Sequence, residues 1–340
     1  MPTNHNIRNI RGRTGRWSFY TMLALAACFM LGAAARPAHA AGPKAYIGNF
    51  KDNSVSVVDT AAGSVVATVP VSAGPHGMAI TADGKTVYIT GDGSSSLDVI
   101  DTATDKVVKT VEVGKTPNGI ALTPDERMLL VTVYGDDRLA FMDTKSNSIV
   151  STVVVPKPHT VALSPDGKLA YVTSQQPGQF ALALVDVPGR KVIRTMPLEK
   201  TPRDGEFGYD GKRFYFTQAG VNSVQVLDPA SEKIIAQIPT GASPHFVSYP
   251  RGSGFGVVVV QGPGELLLFD PATNQPVRSI AVGKQPNWAA MSTDGKTAYV
   301  TNEGSNSLSI IDLTSGATRT ADVGNAPRRV VVQRAAMKGN

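Results

Sequence analysis

The chain has 340 residues, 42% of them hydrophobic and 6% aromatic, with 33 Lys and Arg against 27 Asp and Glu for a formal charge of +6. Its single Cys excludes an internal disulfide framework and a cysteine metal cluster. Arg8, Arg11, Arg13, Arg16 and Arg36 carry all but one of the net charges, leaving +1 for residues 41–340 and little support for whole-surface attraction to nucleic acid.

Those arginines open the first predicted element. They surround an apolar run from Phe19 to Ala35 that is followed by Pro-Ala-His-Ala, the pattern of a secretory signal peptide over residues 1–40 cut after Ala40. The arginines are not adjacent, so general export is expected rather than the twin-arginine route. Leu25–Cys28 also fits a lipoprotein box, but the residues after Cys28 stay apolar, which favours the later cut. The mature chain is then periplasmic or secreted, without a transmembrane segment, and has no Cys for thiol catalysis.

Residues 41–340 read as one domain built from a repeat. Asp59, Asp101, Asp143, Asp186, Asp228, Asp270 and Asp312 recur at steps of 42 residues, with one of 43. Around each, polar and apolar residues alternate at a period of two between Asn, Asp, Gly, Pro and Ser turns, as in NSLSIIDLTSG, which predicts strands. Four extended runs per period predict the four-stranded blade of an all-β propeller, and seven periods predict seven blades. The first repeat, at AYIGNF, lacks its leading strand. Ala326–Gln333, APRRVVVQ, supplies one, so the C-terminal strand is expected to complete the first blade and close the ring.

AYVTNEGSNSLSIIDLTSG, SPDGKLAYVTS and PNGIALTPDE resemble the YVTN repeat of β-propellers and are similar to exported YncE-like proteins, over residues 44 to 333. The resemblance implies a seven-bladed exported protein, and single-stranded DNA binding has been described among YncE-like proteins. Leu130 and Val257 depart from the aromatic position held by Tyr46, Tyr88, Tyr171, Tyr215 and Tyr299. QQPGQ and PRGSG depart from the usual turns.

Asp83, Asp125, Asp166, Asp210 and Asp294 sit in hairpin turns, where a carboxylate bonds local amides and is structural. There is no G-x-S-x-G or H-E-x-x-H, and the glycine-rich turns lack the strand and helix of a phosphate loop. The three histidines after residue 40 share one repeat position: His76, His159 and His245 alternate there with Asn118, Arg203, Asn287 and Arg328. These seven are expected to surround one mouth of the channel, as a ligand site to which Trp288 is adjacent. Three imidazoles could hold Zn²⁺ or Cu²⁺ if all approach one ion to about 2.0–2.1 Å. Arg203 and Arg328, with Lys115, Lys157, Lys200 and Lys284, suit an anion, unless Asp52, Asp92, Asp136, Asp137, Glu265 and Glu303 neutralise the rim.

Three functions follow as expectations. The first is a noncatalytic, monomeric binding or scaffold propeller holding a small anionic ligand or a periplasmic protein at the channel mouth. The second is an enzyme, metal-dependent or of lactonase or lyase type, that uses the histidines as bases. The third is binding of single-stranded DNA, with Phe246 and Trp288 as stacking groups.

Overall fold

Each Asp of the 42-residue series ends a strand and holds the turn after it. Asp59 accepts from the amides of Ala61 and Ala62 at 2.8 and 2.9 Å, and Asp312 accepts from Thr314 and Ser315 at 2.9 and 2.8 Å. The hairpin carboxylates behave alike: Asp83 accepts from the Thr81 hydroxyl at 2.7 Å and the Lys85 amide at 3.0 Å, and Asp125, Asp166 and Asp294 repeat this pair. Those bonds favour the ionised form, so the carboxyls are held below their ordinary pKa. They are structural, as the sequence implies.

The structure, a computed structural model, describes residues 43–334. The expected signal segment lies outside the described residues. Seven four-stranded antiparallel sheets form the blades of a propeller. Their innermost strands are Pro75–Ile80, Pro117–Leu122, Pro158–Leu163, Pro202–Phe207, Pro244–Ser248, Pro286–Met291 and Pro327–Val332. The last of these pairs antiparallel with Lys44–Asn49, setting Ala45 opposite Val332 and Ile47 opposite Val330, so the C-terminal strand completes the first blade as expected. Among the described residues no helix is long and apolar enough to cross a membrane.

Alternating polarity suggests one wet face, yet the second strand of each blade is buried nearly throughout, because adjacent blades cover both faces. The core follows this geometry: one cluster joins Phe246, Val257, Val259, Leu266 and Leu268 of one blade to Ala289, Ala298, Val300 and Ile311 of the next. A single blade therefore cannot bury its own apolar surface.

The polar letters of the repeat are spent between these faces. Thr90 Oγ accepts from the Gly77 amide at 2.8 Å and donates to the Asn118 carbonyl of the next blade at 2.6 Å. Thr132, Thr217 and Thr301 likewise donate to the carbonyls of His159, His245 and Arg328, each at 2.9 Å. The Asn of the repeat is buried: Asn302 Nδ2 donates to Ser307 and Ser309, and Asn49 Nδ2 to Ser54 and Ser56. Buried hydroxyl and amide groups need such partners. Here the requirement links these blades to the next and fixes the backbone at the start of the innermost strands they reach.

Candidate functional site

The seven residues expected at the mouth occupy equivalent places, one residue into each innermost strand. They do not form an open ring of free side chains. His76 is 8% exposed, and its imidazole meets that of His159 edge to face with ring centroids 5.5 Å apart. His159 Nδ1 donates to the Arg203 carbonyl at 3.1 Å, and His245 Nδ1 donates to the Asn287 carbonyl at 3.0 Å. A bond to a carbonyl requires the Nδ1–H tautomer. At His245 the imidazole substitutes for the inter-blade threonine, whose place in that blade is taken by Val259.

All three imidazoles are held neutral. Burial lowers each pKa first; positive charge adds to it, from Arg329 at His76 and His159 and from Arg203 at His245. His159 falls to about 4 and His245 to about 3. Among the described residues no group of three His, Cys, Asp or Glu is disposed to hold a metal ion. Inter-blade bonds orient His159 and His245, His76 Nδ1 is buried without a partner, and arginine charge acts on all three, so the expected Zn²⁺ or Cu²⁺ set of His76, His159 and His245 is not gathered as ligands.

The polar rim is partly neutralised. Arg328 pairs with Glu303 at 3.2 Å and lies over Phe50 at 3.5 Å. Asn287 Nδ2 donates to Glu303 at 2.8 Å, Asn118 Nδ2 reaches Asp92 at 3.4 Å, and Lys157 pairs with Asp137 at 3.1 Å. Arg203 bonds only neutral groups, Ser243 Oγ and Gln261 Oε1, at 3.4 and 3.3 Å.

The space for a ligand lies one step further along the strands. A cavity of about 310 Å³ is lined by Gly77, Gly119 and Thr160, by apolar residues that include Met78, Ile120 and Val161, and by Asp204, Glu206, Trp288 and Arg329. Of the expected mouth residues, only Trp288 borders it. Phe246, Trp288 and Arg329 belong to consecutive blades and meet: the two aromatic rings, tilted by 47°, have centroids 4.0 Å apart, and the Arg329 guanidinium lies 3.3 Å from the Trp288 ring centroid. Trp288 is partly buried between these two neighbours and keeps an edge on the cavity.

Arg329 is 6% exposed and Asp204 is 3% exposed. Burial lowers Arg329 to about 10, with the Asp204 charge opposing. Burial raises Asp204 to about 7, with Arg329 opposing, and raises Glu206 to about 8, with the Asp204 charge adding to the rise. Asp204, Glu206 and Arg329 were not among the sequence candidates. The signal was present in PRDGEF, where Asp204 and Glu206 take the places of Gly77 and Ala79, Thr160 and Ala162, or Trp288 and Ala290 in other innermost strands.

Stability should accordingly fall as pH rises from 6.5 to 8.5. The two carboxyls have folded pKa values above their unfolded ones, so their contribution is complete below about pH 4 and is lost on rising through 7 and 8. The histidines act oppositely, being depressed, and their contribution is lost only on falling from 6.5 through 4 and 3. The window above 6.5 thus isolates the carboxyls, with an expected loss on the order of 2 kcal/mol. Denaturant midpoints at pH 6.5 and 8.5 measure it, and Asp204→Asn with Glu206→Gln should flatten the change.

The YNCE-like beta-propeller family model matches residues 26–122, so the likeness read from the repeat letters stands as a family match over that span. Solved structures similar to this chain include hydrazine synthase of Kuenenia stuttgartiensis (TM-score 0.73, 22% identity, 78% of this chain and 91% of that one). A protein of unknown function from Desulfotomaculum acetoxidans DSM 771 has a TM-score of 0.71 and 16% identity over 86% of this chain and 99% of its own. Dihydro-heme d1 dehydrogenase NirN, in complex with DHE, has a TM-score of 0.65 and 17% identity over 85% and 74%. At these identities the likeness shows the shared fold alone. No curated protein matches the sequence.

Proposed function

We propose that the protein is an exported, noncatalytic binding propeller that captures a small anionic ligand in its channel, beside Arg329. One observation carries this reading: a guanidinium that is 6% exposed and stacked on Trp288 borders a cavity of about 310 Å³ without an ion pair or side-chain hydrogen bond to any of the described residues. Burying an unpaired charge is costly, and an arriving carboxylate or phosphate would offset that cost. The planar guanidinium suits either group, and its stacking on Trp288 orients it before the ligand arrives.

The imidazoles support binding rather than turnover. Two spend Nδ1 on the neighbouring blade, and with pKa values of about 4 and 3 His159 and His245 are weak bases at neutral pH. Export rests on the arginines, apolar run and Ala-x-Ala motif of residues 1–40.

The test is calorimetric titration of acetate, succinate and inorganic phosphate into protein recovered from the periplasm, which should begin at Ala41. At least one anion should bind, and Arg329→Met should weaken it tenfold or more. If none binds, or if the variant binds equally well, the reading fails.

A further inference from the structure

Resting on the reading of Arg329 as an anion site, we infer that the channel ligand is a small zwitterion, with its anionic end on Arg329 and a cationic amine at Asp204 and Glu206. The second half of this statement comes from the opposite wall of the cavity. Asp204 is 3% exposed, and its Oδ2 atom is buried without a hydrogen-bond partner. Glu206, two residues along the same innermost strand, borders the same space. A buried carboxylate oxygen with no partner is uncommon, because it forfeits its hydration without replacement.

Arg329 and Asp204 would be the obvious solution to each other's burial. Each acts on the other electrostatically, yet no ion pair joins them. The fold holds both ends in place: Arg329 is stacked on Trp288, and the Asp204 amide donates to Thr217 Oγ at 3.3 Å, on a strand fixed to its neighbours. Opposite charges confined to one cavity and kept from closing on each other leave a gap that a two-ended molecule completes.

Single-ended ligands complete only half of it. An anion alone would satisfy Arg329 while adding negative charge near two carboxyls and leaving Asp204 Oδ2 unpartnered. An amine alone would satisfy Asp204 and leave the buried guanidinium as it was. A carboxylate or phosphate joined to an ammonium by a few methylenes meets both needs. Met78, Ile120 and Val161 supply an apolar wall for the linking carbons. The cavity, about 310 Å³, has the volume of about ten water molecules, which suits an amino-acid-sized compound and not a nucleotide.

The experiment titrates β-alanine and 5-aminopentanoate, alongside propionate and propylamine as single-ended controls, into the wild-type protein and the Arg329→Met, Asp204→Asn and Glu206→Gln variants. Each variant is first checked for an unchanged thermal transition, and Glu206, only half-buried, supplies the test if the Asp204 variant does not fold. We expect one of the amino acids to bind at least tenfold more tightly than either control. Asp204→Asn or Glu206→Gln should remove that advantage without weakening propionate binding.

If propionate binds as tightly as the amino acids and the carboxamide variants are indifferent, the zwitterion is wrong and the anion reading survives. If acetate or phosphate binds but neither amino acid does, the conclusion is the same. Propylamine binding as tight as that of the amino acids, with all of them unaffected by Arg329→Met, overturns both readings. So does the failure of every probe to bind.

Discussion

A chain that stops at Ala326 loses its cooperative folding transition. Residues 327–332 form the innermost strand of the first blade, and without them Lys44–Asn49 becomes an open edge. The lost contacts are not peripheral. Val330, 1% exposed, packs with Ala45, Ile47, Val58, Tyr299 and Leu308, which joins the first and seventh blades. At about 1 kcal/mol for each ladder hydrogen bond and about 1.5–3 kcal/mol for a fully buried Val, the loss approaches the ~5–15 kcal/mol that separates folded from unfolded domains. The truncated protein should show a broad thermal profile or self-association by light scattering. Val330→Asp, which keeps the strand but places a charge in that cluster, should lower the midpoint steeply. A truncated chain that melts as a sharp monomeric transition would show that the ring does not depend on this closure.

Substituting Gly77 by Ala should cost about 3 kcal/mol or more, against ~1 kcal/mol for a typical point mutation. A Cβ at Gly77 would overlap the carbonyl oxygen of Asn118, which is backbone and cannot swing aside. That oxygen also accepts the Thr90 hydrogen bond linking the two blades, so the clash and the loss of the bond come together. Two other glycines grade the effect. A Cβ at Gly119 would stand 2.8 Å from the His159 carbonyl, and one at Gly48 would come no nearer than 3.3 Å to any atom, the Sδ of the flexible Met78 side chain. Denaturant unfolding of the three alanine variants should therefore rank Gly77 worst, Gly119 next and Gly48 nearest to wild type. Equal effects would mean that the close approach of the inner strands is not what these glycines serve.

The glycines also explain the position of the cavity. On the side of Gly77 and Gly119 the inner strands approach too closely for a side chain, whereas Phe246, Trp288 and Arg329 fill the same repeat place on the other side. The 42-residue spacing carries no sign of this asymmetry, because it records equivalence. The histidines show the same limit. Their shared repeat position was legible, but the bond of His245 to the Asn287 carbonyl was not, since it takes the place of a threonine that Val259 has replaced in the neighbouring strand.

The sequence by itself determined the number of blades, the four-strand unit, the closing strand and the structural role of the turn carboxylates. These are local or periodic properties: a turn Asp bonds amides two or three residues away, and a repeat position is inherited by every copy. Tertiary structure alone decided that the alternating polar residues are buried links between blades, and that Asp204, Glu206 and Arg329 border one cavity, with Asp204 Oδ2 left without a hydrogen-bond partner. Those properties depend on which side chains from blades more than a hundred residues apart meet across the channel, and no spacing along the chain encodes that meeting.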